Sequence, residues 1–102
     1  MSKPLSKKQI EQALGDLRGW EWSEDKLKKV FQFSGFREAM GFILQISYEA
    51  EGTDHHPEIY NCYNRVEIGL QTHDAGGKVT EKDIFLARAI ENISVTQISK
   101  SL

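Results

Sequence analysis

Apolar residues along this chain alternate between a spacing of three or four and a spacing of two, and each change of spacing marks a change of element. Ser6 and Gln9 form a capping box, after which Ile10, Ala13, Leu14 and Leu17 recur on one helical face until Gly19. Trp20 to Trp22 and Leu27 to Phe33 are aromatic-rich alternating runs on either side of Ser23-Glu24-Asp25. They predict a hairpin with Leu27, Phe31 and Phe33 on one face. Beyond Ser34-Gly35, the residues Phe36, Ala39, Met40, Ile43, Ile46, Ser47 and Ala50 make a broad stripe at helical spacing, so a second helix runs into Glu51-Gly52. Ile59 to Tyr63 and Val66 to Thr72 predict a second hairpin turning near Asn64, with Val66, Ile68 and Leu70 facing inward and Glu67, Gly69 and Gln71 outward. The same parity sends His73 outward with Gln71. Asp74-Ala75-Gly76-Gly77 is a turn cluster, and Thr80 with Asp83 caps a last helix that turns Leu86, Ala89, Ile90 and Ile93 inward. The order αββαββα predicts an α+β fold, a four-stranded antiparallel sheet with three helices packed on one face.

Composition narrows the class. At 102 residues and 39% hydrophobic content, the chain suffices for one core and one domain, residues 1–102. Thirteen basic residues stand against 15 acidic ones, and the lysines are interleaved with acids, so direct nucleic-acid binding through a phosphate-tracking stripe is disfavoured. The lysines around Lys26, Lys28 and Lys29 read as a solvated strand face. The lone Cys62 permits no internal disulfide, which fits a reducing compartment. Met1-Ser2-Lys3-Pro4 carries no apolar leader and no window is long and apolar enough for a membrane span. A soluble cytoplasmic protein is expected.

The chemistry concentrates at Asp54-His55-His56-Pro57, where two of the three histidines adjoin, with the third at His73. Histidine is the side chain that ordinarily gives or takes a proton near neutral pH. A hairpin turning near Asn64 brings the start of its first strand beside the end of its second, so all three imidazoles can share one cleft. Asp54 or Glu51 can orient an imidazole. Simpler readings stand beside this: a histidine pair before proline also occurs as turn filler, and Asp83 has a structural role in the helix cap whatever the function. Trp20, Trp22, Phe31 and Phe33 read as core and interface. No metal is expected, because there is no helical pair of histidines and only one cysteine.

The run Glu51-Gly52-Thr53-Asp54-His55-His56-Pro57-Glu58, followed by Tyr63-Asn64, Val66, Thr72-His73 and Asp83, resembles the signature of the pterin-4a-carbinolamine dehydratases. Gly19-Trp20, Phe31-Gln32-Phe33, Phe36, Gly41-Phe42 and Ala50-Glu51 extend the resemblance over nearly the whole chain. Two features depart from animal members: a turn between Asp74 and Thr80 one residue longer, and Ile59-Tyr60 where tryptophan and phenylalanine often stand. The resemblance implies the αββαββα fold and a hydro-lyase that dehydrates 4a-hydroxytetrahydropterin to quinonoid dihydropterin, recycling the cofactor of aromatic amino acid hydroxylases. It implies His55 and His73 as acids and His56 as a binding residue of the catalytic set. Asp54, Gln71, Thr72 and Asp74 would line the pterin pocket, with Glu51 and Asp83 in support. No cofactor is implied, and the expected partners are the pterin and copies of the chain, as homodimer or homotetramer. Two alternatives come with the family: an interaction module of the dimerization-cofactor or coactivator type, and a pterin-binding protein without turnover.

Overall fold

The structure is a computed structural model describing the backbone of residues 3–101 and the side chains of residues 3–94. Met1 and Ser2, with which the expectation read at Met1-Ser2-Lys3-Pro4 begins, lie outside the described residues. The elements are α1 (Lys7–Leu14), β1 (Glu21–Ser23), β2 (Lys26–Gln32), α2 (Phe36–Thr53), β3 (Glu58–Cys62), β4 (Arg65–Leu70) and α3 (Glu81–Ser101). A short 3-10 turn, His73–Ala75, stands between β4 and α3. The four strands pair antiparallel in the order β1-β2-β4-β3. The α+β fold and element order are those the spacing predicts.

Alternation decides which sheet face is covered. Leu27 and Phe31 of β2 and Val66, Ile68 and Leu70 of β4 are buried in one cluster with Ile10 of α1, Phe42 and Ile46 of α2, and Leu86 and Ile90 of α3. Phe42 lies with its ring centroid 4.9 Å from those of both Phe31 and Phe33, which ties α2 to the sheet. The opposite sheet face carries Lys26, Lys28, Val30, Glu58, Tyr60 and Glu67 along an open groove of about 600 Å³. Among the described residues no helix is long and apolar enough to cross a membrane.

Three local features differ from the sequence reading. Helix α1 has its capping box at Ser6 and Gln9 but ends at Leu14, not near Gly19. Tight bonds from Gly15, Asp16 and Leu17 to carbonyls three residues back carry Leu17 into the core beyond the helix. In α2 the buried face is Ala39, Phe42, Ile46 and Ala50, while Phe36 and Met40 are exposed. That helix is apolar over a wider arc than the sheet and α3 cover. Lys29 shares the inward side of β2 with Leu27 and Phe31 and is not part of a solvated face. Its ammonium donates to the Arg18 carbonyl at 2.8 Å and to Glu91, and lies 4.8 Å from the Phe31 ring centroid. Glu91 also accepts from Trp20 Nε1 at 2.7 Å, so the intruding charge is fully partnered.

The β1–β2 hairpin turns on Glu24-Asp25, both with positive φ, at 55° and 61°. That pattern suits a type I′ turn, where Asn-Gly is the unstrained choice. The Lys28 ammonium, hydrogen-bonded to Glu24 and adding its charge, holds that carboxyl below its ordinary range. Replacing Glu24-Asp25 by Asn-Gly removes this exposed pair and the Lys78–Asp25 pair, each worth little. It relieves two left-handed residues, each costing about 1 kcal/mol. The double variant is expected to melt a few degrees higher in a calorimetric scan, and an unchanged or lower midpoint would show that the turn carries no strain.

Candidate active site

The end of α2 delivers the histidine pair. Gly52 does not stop the helix, which continues to Thr53 and ends where Asp54 adopts the left-handed conformation, φ 51° and ψ 43°. The His55 amide donates to the Ala50 carbonyl at 3.1 Å and the Asp54 amide to the Glu51 carbonyl at 3.3 Å. These two bonds make the closing motif usually built on glycine, here with an aspartate. They turn the chain sharply, so that His55 points into the protein and His56 does not. His55 is 8% exposed, whereas the His56 side chain is 59% exposed.

His73 arrives from the other side. Strand β4 ends at Leu70, and Thr72 makes an isolated antiparallel bridge to Lys78, its amide donating to the Lys78 carbonyl at 2.8 Å. The loop between them is closed by the Ala75 and Gly77 amides, each 3.1 Å from the Thr72 carbonyl. Gly76 and Gly77, with φ 76° and 74°, supply the left-handed geometry this closure needs. His73 therefore leads a 3-10 turn and is not a strand residue, although it is exposed as its parity predicts.

These segments enclose a cleft of about 190 Å³ lined by Asp54, His55, His56, Gln71, Thr72, His73, Asp74 and Lys82. All three histidines meet there. Glu51 and Asp83 hold two of the imidazoles from behind. His56 Nε2 lies 2.7 Å from Glu51 Oε1 at the surface. His55 Nε2 lies 2.6 Å from Oδ1 of Asp83, a carboxylate with no solvent exposure. No hydrogen bond joins Asp54 to an imidazole among the described residues; its place is the helix end and the cleft wall.

Asp83 makes the helix-cap contact and the His55 contact with the same carboxylate. Its Oδ2 accepts from the Thr80 amide at 2.8 Å, closing the first turn of α3, and from Thr72 Oγ1 at 2.9 Å. Thr72 is 2% exposed and its hydroxyl lies 2.6 Å from that of Thr80, so this hydroxyl is turned away from the cleft its residue lines. Lys82 is a cleft residue the sequence reading missed. One signal was available: a cation in the first turn of a helix opposes the helix dipole, so helix stability does not explain it. Among the described residues no three His, Cys, Asp or Glu side chains converge as metal ligands.

An antiparallel sheet backed by helices on one face, with a cleft lined by three imidazoles at the open end of the β3–β4 hairpin, defines a small α+β protein class. The family model for pterin 4 alpha carbinolamine dehydratase matches residues 3–93, and the chain belongs to that family. It is 53% identical over 90 residues to a protein of Opitutus terrae provisionally named a pterin-4-alpha-carbinolamine dehydratase, covering 88% of this chain and 93% of that one. A similarly named protein of Sulfolobus acidocaldarius is 44% identical over 89 residues, covering 87% and 97%. The crystal structure of a transcriptional coactivator/pterin dehydratase from Brucella melitensis superposes with a TM-score of 0.85 at 39% identity, over 89% of this chain and 98% of that one.

Proposed function

We propose that the protein dehydrates 4a-hydroxytetrahydropterin to quinonoid dihydropterin, with imidazoles as the acid and base, in recycling the pterin of aromatic amino acid hydroxylases. The observation that carries this reading is the convergence of His55, His56 and His73 on one cleft, with His55 anchored by a buried carboxylate. In the reaction the C4a–O bond breaks, the N5 lone pair forms the C4a=N5 double bond, and the departing hydroxyl takes a proton to leave as water. A ring N–H gives up a proton, so the net change is loss of one water. His55 and His73 are the acids and bases of this scheme, and His56 with Asp54, Gln71, Thr72 and Asp74 lines the pterin's seat. No metal takes part. The direct test follows loss of 4a-hydroxytetrahydropterin with and without protein, before and after EDTA treatment. Acceleration above the spontaneous rate that survives the chelator is expected. Pterin binding without acceleration would leave a pterin-binding protein; activity lost in EDTA and restored by zinc would move the chemistry to a metal.

The chain is further proposed to work as a homodimer or homotetramer. Phe36, Met40, Leu44 and Tyr48 form an exposed stripe along α2, and exposed apolar stripes of this kind favour association. Sedimentation at micromolar concentration is expected to give a multiple of 11.6 kDa. Leu44→Glu is expected to shift it toward the single chain; a monomeric wild type would sink the proposal. The coactivator name of the Brucella structure makes an interaction module the second reading, which this same stripe would serve.

A further inference from the structure

We propose that Thr72 and Thr80 are positioning residues: their paired hydroxyls hold Asp83 as a hydrogen-bond acceptor and thereby keep the neutral His55 ring protonated at Nε2, leaving Nδ1 to exchange protons in the cleft. The inference follows from counting protons in a sealed space. Thr72, Thr80 and Asp83 are buried, at 2%, 0% and 0% exposure, so bulk water does not reach them. No buried side-chain nitrogen or oxygen lacks a partner among the described residues. Each hydroxyl has one proton to give.

The Lys82 amide donates to Thr80 Oγ1 at 3.2 Å, which leaves Thr80 to give its own proton to Thr72 Oγ1, 2.6 Å away. Thr72, having accepted, gives its proton to Asp83 Oδ2 at 2.9 Å, the oxygen that also accepts the Thr80 amide. Every donor in the chain then has an acceptor. Reversal would require a proton on Asp83 Oδ2 donated to Thr72, and Thr72 donating to Thr80. The Thr80 hydroxyl proton would then have no acceptor among the described residues. Only one direction satisfies these groups, and it makes Asp83 Oδ2 an acceptor. The 2.6 Å contact of Oδ1 with His55 Nε2 holds one proton, and it sits on the nitrogen because an imidazole is ordinarily a stronger base than a carboxylate. Buried carboxylates that orient a histidine fix its tautomer in this way. Here the orienting group is itself oriented, by hydroxyls turned away from the cleft.

This inference deepens the proposed dehydration and rests on it for its consequence in turnover, but the proton position can be read without turnover. Long-range 15N–1H NMR of histidine-labelled protein, with the imidazole neutral, distinguishes protonated Nε2 from protonated Nδ1. The wild type is expected to show His55 protonated at Nε2; a proton on Nδ1 overturns the proposal by itself. Thr72→Val, which keeps the shape and removes the hydroxyl, is expected to move the His55 signals toward the other tautomer. Its kcat is expected to fall by roughly tenfold or more, within the range of proton-transfer catalysis, with KM little changed. Thr72→Ser restores the hydroxyl and is expected to recover both readouts. A folded Thr72→Val protein with unaltered tautomer and kcat would sink the proposal, and if that variant does not fold, the wild-type spectrum still decides. Should the tautomer respond as expected while no variant or wild type accelerates dehydration, the lock stands and the proposed reaction falls.

Discussion

Enzymatic dehydration is expected to fall by about 10² to 10⁴-fold, the usual contribution of a positioned acid or base, when His55 is replaced by alanine. His73→Ala is expected to lose activity in the same sense, and the two variants are told apart by stability and by substrate. His73 is exposed on a 3-10 turn, so its truncation should leave the melting temperature within a degree or so. His55 is 8% exposed and fills one of the three hydrogen bonds of Asp83, so its removal should cost on the order of 1–3 kcal/mol as well. The two residues reach the cleft from different segments, one from the end of α2 and the other from beyond β4. Acids on opposite sides of a flat ring would each serve one face, and C4a can carry its hydroxyl on either. Assays with each 4a stereoisomer, corrected for spontaneous loss, are therefore expected to show opposite preferences in the two variants. Both variants folded and fully active would remove histidine catalysis from the account.

Periodicity made the fold legible because most buried positions sit where a period of two or of 3.6 puts them. Val66, Ile68 and Leu70 alternate in β4 and are all buried, as the pattern requires. Helix α2 was harder, since its apolar arc is too wide for one face. Spacing alone does not say that Phe42 lies inside and Phe36 outside; the sheet and α3 decide that. The same limit applied to Lys29, whose charge suggested solvent although its strand parity with Leu27 and Phe31 put it inward. Tertiary partners, Glu91 and the Arg18 carbonyl, are what make that parity tolerable.

At the site, the sequence brought the three histidines to one place because a hairpin joins the segments that carry them. It did not show which histidine would be buried. That depends on the left-handed turn at Asp54, which swings His55 inward, and on Asp83, which is 28 residues away in the chain. A helix-capping acid at the third helical position is common enough to need no further explanation. Only the approach of His55 to the oxygen not used by the cap gives Asp83 its second role.

Because one carboxylate divides its labour in this way, Asp83→Asn and Asp83→Ala are expected to fail differently. Alanine leaves His55 Nε2, Thr72 Oγ1 and the Thr80 amide without their acceptor in a buried space, a loss on the order of 3–5 kcal/mol if the site does not admit water. It should unfold at clearly lower denaturant concentration. Asparagine keeps the shape. Its carbonyl oxygen can take the place of Oδ2 and accept from Thr72 and the Thr80 amide, which retains the helix cap. Its amide nitrogen then faces His55 Nε2 as a donor, so the imidazole must accept there and carry its proton on Nδ1 instead. Asp83→Asn is accordingly expected to remain folded, with a modest stability loss, while kcat drops by about 10² to 10⁴-fold because the cleft-side nitrogen holds the proton in the wrong tautomer. Denaturant curves, dehydration kinetics and the histidine 15N shifts of both variants make the comparison. An asparagine variant that keeps wild-type turnover would show that Asp83 serves the cap alone.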